Sequence, residues 1–298
     1  MTWLRQRHAA AVTRAPAWLS VLRLCRIGAW FSPAADVLAS CCVADMAWSV
    51  DVVRAMSAST LLYGAGMVWN DIADREVDAT TRPERPLPSG ALGLRFALAL
   101  GATLLVGGLL LSPCRRHHAL IAALILGYDF GSKRVPWLGV LVMGSLRALN
   151  LGTALAIAPG TDGVRTALLT ASLCYGIYIV AVTVLGIFED TRQVAGRAVA
   201  AIQTVPPLAA IAGIAAVQGG PWPAPALAAV PVLWFLRQNA RTAHWDQQAI
   251  RRAMTRLLLG TMLYTALLAG SAGRWPEAGG IAVAIWLARG IARRIALT

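Results

Sequence analysis

Ten apolar stretches divide this chain almost from end to end, near residues 28–48, 52–70, 94–111, 117–130, 135–157, 166–187, 198–217, 224–237, 254–270 and 278–292. About 20 apolar residues cross the hydrocarbon of a bilayer as a helix, and several of these stretches are shorter than that. Inside lipid every backbone N–H and C=O needs a partner within the chain, which leaves helices or closed barrels. Barrel strands alternate apolar and polar residues, and these stretches do not. The expected fold is therefore all-α: a polytopic membrane bundle of nine or ten transmembrane helices. A mean hydropathy of +0.61 excludes an ordinary soluble enzyme of this length.

The net charge of +13 raises the question of a nucleic-acid partner. The basic residues are scattered between apolar spans, so no nucleic acid is expected; cytoplasmic loops facing the anionic lipid bilayer explain them better. Arginines gather at 5–26, 75–95, 192–197 and 237–256, which places these regions and the N-terminus on the cytoplasmic side of a bacterial inner membrane. Arg293 and Arg294 at the other end then favour an even number of crossings. Residues 1–26 carry five arginines and no acid, and read as an interfacial amphipathic segment. No linker or low-complexity tract interrupts the chain, so 1–298 reads as one membrane domain. Cys25, Cys41, Cys42, Cys114 and Cys174 form no metal-binding spacing and read as small buried apolar residues. His117, His118 and His244 read as loop residues.

One stretch is unlike the rest. "VWNDIADREVDATTRPERPLPSG", residues 68–90, holds Asp71, Asp74, Glu76, Asp78 and Glu84, five of the 14 acidic residues. Asp71, Asp74 and Asp78 are spaced i, i+3, i+7, which on one helix sets them on a single face beside Asn70. Carboxylates packed this way repel unless a cation sits between them. The natural partner is a hard divalent ion that bridges them to substrate phosphates, as magnesium (Mg2+) does. The bland alternative is a solvated charged loop, but the acids begin where the second span ends. Glu189 and Asp190 follow the sixth span and therefore face the same side. The 27 basic residues comprise 26 arginines and a single lysine, Lys133, next to Arg134 in "GYDFGSKRVPWLG". A compact ammonium is suited to that position. Arg82 and Arg85 are further phosphate partners. Asp36 and Arg147 lie inside apolar spans, where ionisable groups are functional or paired. Tyr63, Tyr128 and Asn150 are placed to line the same cavity.

The motif "NDIADREVDATTRPERPLPSG" resembles the N-D-x-x-D-x-x-x-D signature, with its trailing R-P-L-P-S-G, of the UbiA superfamily of intramembrane prenyltransferases. "YDFGSKR" is similar to that family's tyrosine followed by Lys-Arg after the fourth helix. "LRLCRIGAWFSPAADVLAS" and "VMGSLRALN" also resemble its EboC-like branch. The resemblance implies a bundle around a central cavity capped by the two acidic loops. It implies that Asn70, Asp71, Asp74 and Asp78, with Glu189 and Asp190, hold magnesium and a polyprenyl diphosphate. Lys133 and Arg134 would neutralise the leaving group, and a lipophilic or aromatic acceptor would receive the prenyl chain. One departure matters: the family's second motif reads D-x-x-x-D, whereas Val194 follows Asp190 at that spacing and Gln193 follows Glu189. Two other readings use the same pocket: a terpene cyclase of this superfamily, and a non-catalytic membrane partner that binds a lipid diphosphate.

Overall fold

A computed structural model describes residues 16–158, 160–189, 196–217, 223–241 and 245–295. These residues form helices α1 (Ala17–Leu24), α2 (Phe31–Val43), α3 (Val50–Ala73), α4 (Arg75–Thr81), α5 (Leu94–Leu111), α6 (Arg115–Phe130) and α7 (Pro136–Leu151). They continue with α8 (Thr153–Ile157), α9 (Asp162–Glu189), α10 (Gly196–Ala216), α11 (Pro223–Ala240), α12 (Gln247–Ser271) and α13 (Trp275–Ile295). Single 3-10 turns cover Ile27–Ala29 and Ser132–Arg134. Among the described residues there is no strand.

Helix ends follow local chemistry. Ser49 caps α3 by accepting from the Val52 N–H at 3.3 Å, and Asp246 caps α12 by accepting from Ala249 at 2.7 Å. Pro136 opens α7, where its missing N–H costs nothing. Four helices, α5, α9, α10 and α12, are long and apolar enough to cross a membrane by length and composition. Each of the ten expected stretches contains a helix, and several change in extent, the ninth lengthening to the 25 residues of α12. The first shortens to the 13 residues of α2, the fifth breaks at Gly152 into α7 and α8, and the last lengthens to the 21 residues of α13.

The bundle packs around α9, which lies against α7, α10 and α12, while α2 lies against α3, α12 and α13. Val37, Leu168, Tyr175, Leu185 and Leu268 are fully shielded in this core. The outer faces are also apolar: Val106 and Leu110 of α5, Leu233 of α11 and Trp286 of α13 are exposed, as lipid-facing residues must be. Contacts fix which helix ends lie together. Arg26, just before α2, reaches Asp71 at the end of α3, and Lys133, between α6 and α7, reaches Asp74. At the opposite end Arg274 reaches Asp45 at 2.9 Å, and Arg54 donates to the Leu111 carbonyl at 3.0 Å. The acidic motif is thus at one end of the bundle, together with the C-terminal end of α13, whose Ala292 lies against Gly28.

The histidines depart from expectation. His117 and His118 sit in the first turn of α6, and His118 is fully buried, with its Nδ1 2.6 Å from Ser112 Oγ. His117 Nε2 meets the Leu149 carbonyl at 3.0 Å. They pin α6 to its neighbours rather than decorate a loop; His244 lies outside the described residues. The cysteines are free, and all but Cys174 are buried, as small apolar residues would be.

Candidate active site

A cavity of about 340 Å3 opens between α2, α3, α6 and α7. One wall is a stripe of α3 running from Ser59 through Leu62, Tyr63 and Gly66 to Asn70. Those twelve residues of helix cover roughly 17 Å. Ile121, Ile125 and Leu146 make the opposite wall apolar, and Tyr128, Arg26, Arg82 and Arg85 edge the cavity at the acidic end.

At that end α3 stops at Ala73. Asp74 takes φ −92° and ψ 1°, and α4 starts at Arg75. Helical hydrogen bonds nonetheless run through this turn, from the Asp74 N–H to the Asn70 carbonyl at 2.9 Å and from the Asp78 N–H to the Asp74 carbonyl at 2.8 Å. Asp71 and Asp78 do face together: Arg85 Nη1 bridges them, 3.3 Å from Asp71 and 2.5 Å from Asp78. Arg26 adds a second cation to Asp71 at 3.2 Å. Asp74 turns aside to Lys133 at 2.6 Å, and the same ammonium donates to Asn70 Oδ1 at 3.2 Å. Close carboxylates need nearby positive charge, and here side-chain cations supply it. Burial pushes the Asp71 carboxyl above the usual carboxylate range, against the pull of Arg26 and Arg85.

Deeper in the cavity a polar network spans α2, α3, α7 and α9. Arg147 Nη1 lies 3.1 Å from Asp36 Oδ2, and the guanidinium also donates to Ser32 Oγ and stacks 5.4 Å from the centre of the Tyr175 ring. Asn150 donates to Asp36 at 2.9 Å and to the Pro33 carbonyl at 3.1 Å, and accepts from Ser59. Tyr175 donates to the other Asp36 oxygen at 3.0 Å. Asp36 is fully buried with every oxygen engaged, whereas Arg147 and Asn150 also line the cavity. The intramembrane pair therefore has both a structural partner and a face on the pocket.

Of the residues picked out from the sequence, Asn70, Tyr63, Tyr128, Arg82, Arg85, Arg147 and Asn150 line the cavity. Asp71, Asp74, Asp78 and Lys133 form the charged cluster at its end. Arg134 is exposed and does not line the cavity, because the 3-10 turn Ser132–Arg134 points successive side chains apart. Glu189 ends α9, and Asp190 lies outside the described residues. Two participants escaped sequence reasoning. Arg26 was grouped with the interfacial arginines; its left-handed backbone (φ 48°) turns the chain between α1 and α2 and brings it to Asp71. Asp129 is buried on the cavity wall, and its Oδ2 has no hydrogen-bond partner among the described residues. The sequence signal for Asp129 was its place beside Tyr128 in the motif.

Among the described residues no three acidic, histidine or cysteine side chains converge as a preformed metal site. The donor chemistry nevertheless fits a hard divalent ion: three carboxylates, the Asn70 amide oxygen and the orphaned Asp129 oxygen, with no sulfur or imidazole beside them.

The chain is 30% identical to the bacteriochlorophyll synthase 34 kDa chain of Chloroflexus aurantiacus over 207 residues, 64% of either protein. It is 32% identical to the digeranylgeranylglyceryl phosphate synthase of Metallosphaera sedula over 117 residues, 37% of this chain and 41% of that one. The chain thus spans less than two thirds of either relative. Among solved structures, a UbiA homologue of Aeropyrum pernix superposes with a TM-score of 0.61 at 18% identity, over 87% of this chain and 97% of that one. A UbiA homologue of Archaeoglobus fulgidus bound to DMAPP and Mg2+ gives 0.58 at 12% identity, over 85% and 99%. At such identities these two likenesses carry the fold alone. A sequence model of the UbiA prenyltransferase family matches residues 37–295, so the chain belongs to that family.

Proposed function

We propose that this protein is a magnesium-dependent integral membrane prenyltransferase, moving a prenyl group from a polyprenyl diphosphate to a lipophilic or aromatic acceptor. The observation that carries the reading is the cavity itself: an apolar chamber along α3 whose one end is edged by Arg26, Arg82 and Arg85 next to Asp71, Asp74 and Asp78. Relatives named as digeranylgeranylglyceryl phosphate synthase and bacteriochlorophyll synthase, and a UbiA homologue seen with DMAPP and Mg2+, support the same class.

The charge balance supports a role for metal. Asp71, Asp74, Asp78 and Asp129 are offset by Arg26, Arg82, Arg85 and Lys133, so a free diphosphate would meet little net attraction. Asn70, Asp71, Asp74 and Asp78 would hold magnesium, with Glu189 and Asp190 as the second group. The ion supplies charge neutralisation for the departing diphosphate oxygens. Lys133, Arg82 and Arg85 then orient the diphosphate and stabilise its growing negative charge as the allylic C–O bond breaks. Leu62, Ile121, Ile125 and Leu146 hold the prenyl chain and exclude water from the allylic cation, with Tyr63 and Tyr128 offering ring faces to it. Arg147 and Asn150, held rigid by Asp36, are placed to orient the polar end of an acceptor at depth.

The test is a panel of prenyl diphosphates given to the purified protein with and without magnesium, following released diphosphate and lipid products by mass spectrometry. Diphosphate release with a prenylated acceptor is the expected result. Release with a cyclic hydrocarbon would replace transferase by cyclase, and no release with any chain length would leave only a binding role.

A further inference from the structure

A second cavity, of about 450 Å3, is enclosed by α10, α11, α12, α13 and Tyr178 of α9, and shares no residue with the first. Its walls are apolar, with Ile214, Leu263, Leu267 and Ile285 among them. Pro207 and Pro231 stand on two of its sides; each removes a helix hydrogen bond where two helices would otherwise run straight past each other. Among the described residues the only charged ones that line it are Arg256 and Arg289, and no acidic residue lines it. Among the described residues neither arginine makes an ion pair, and the Arg256 guanidinium instead lies 5.6 Å from the centre of the Trp234 ring.

Arg256 is nine residues into α12, and Arg289 is six residues before the end of α13. At about 1.5 Å per residue they stand roughly 14 and 9 Å from the helix ends that lie on the side of the acidic motif. Both side chains are exposed beside the apolar cavity, and an arginine that lacks a carboxylate partner there is suited to another anion. We propose that this cavity binds one membrane phospholipid with an anionic headgroup. Its phosphate lies between Arg256 and Arg289, and an acyl chain runs inward along Leu263, Leu267 and Ile285. Trp234 closes the outer side, and its own face is exposed to lipid.

Native mass spectrometry and thermal unfolding of the full-length protein in detergent test this, with phosphatidylglycerol, phosphatidylcholine and inorganic phosphate compared as probes. One retained phosphatidylglycerol and a saturable rise in melting temperature are expected. The Arg256→Gln, Arg289→Gln double variant should bind it about thirtyfold more weakly, for the loss of two cations. An equal shift from phosphatidylcholine, or unchanged phosphatidylglycerol binding in the double variant, would overturn the proposal by reducing both arginines to snorkelling surface charges. An equal shift from inorganic phosphate would overturn it in favour of a bare anion site. Should the double variant fail to fold, Ala210→Trp keeps both charges and fills the cavity from α10; retention of the lipid adduct in that variant would equally overturn it.

Discussion

At the scale of single residues, the cavity is held by charges that cannot be removed one at a time. Asp36 accepts from Arg147, Asn150 and Tyr175, and this fully buried carboxylate is closed to water. Arg147→Ala would strand it, and breaking a buried pair from one side costs about 3–5 kcal/mol. Purified Arg147→Ala should therefore melt well below wild type, and an unchanged melting curve would show that the network bears no weight. Asp190 poses the opposite question, since Val194 stands where the family places a second aspartate. If the second loop still grips the ion, Asp190→Asn should depress turnover and shift its magnesium dependence to higher concentration, because the amide keeps shape and loses charge. An unshifted magnesium titration with normal turnover would assign the metal to the first motif alone.

At the scale of elements, the site depends on where helices break and how closely they cross. The aspartate spacing read as one continuous helix, whereas α3 gives way to α4 at Asp74, whose side chain pairs with Lys133 while Asp71 and Asp78 share Arg85. Spacing rules assume unbroken geometry, and Asp and Arg are ordinary residues on either side of such a break, so nothing local announced it. Helices themselves were legible because lipid enforces them. The ion pair of Asp36 and Arg147 was legible for the same reason: apolar surroundings leave few other fates for two charges. Arg26 and the buried histidines were not, since their roles come from a neighbour far away in sequence. The crossing of α7 and α9 supplies a test at this scale. A methyl group added at Gly144 would lie 2.8 Å from the Gly176 carbonyl oxygen, a backbone atom that moves only with its helix. Gly144→Ala should destabilise the protein by about 1–3 kcal/mol, and since α7 carries Arg147 and Asn150, it should also lower activity in the protein that remains folded. Wild-type stability and activity would show that α7 has room to shift.

At the scale of the whole molecule, the acidic cluster, the arginine-rich junctions and the C-terminal end of α13 share one end of the bundle. From the excess of arginine there we propose that this end faces the cytoplasm. Ser89 is exposed at that end and Asp162 at the other. In intact cells, a membrane-impermeant thiol reagent should spare Ser89→Cys and label Asp162→Cys; the reverse pattern would invert the protein in the membrane. The central claim is narrower, that the acidic end of the α3 cavity ionises a prenyl diphosphate. Its most direct measurement is magnesium-dependent diphosphate release by the purified wild type beside Asp71→Ala and Asp74→Ala, each checked for an intact melting transition. Release by the wild type that falls about a hundredfold or more in both folded variants is the predicted result. Wild-type rates in either variant would contradict it.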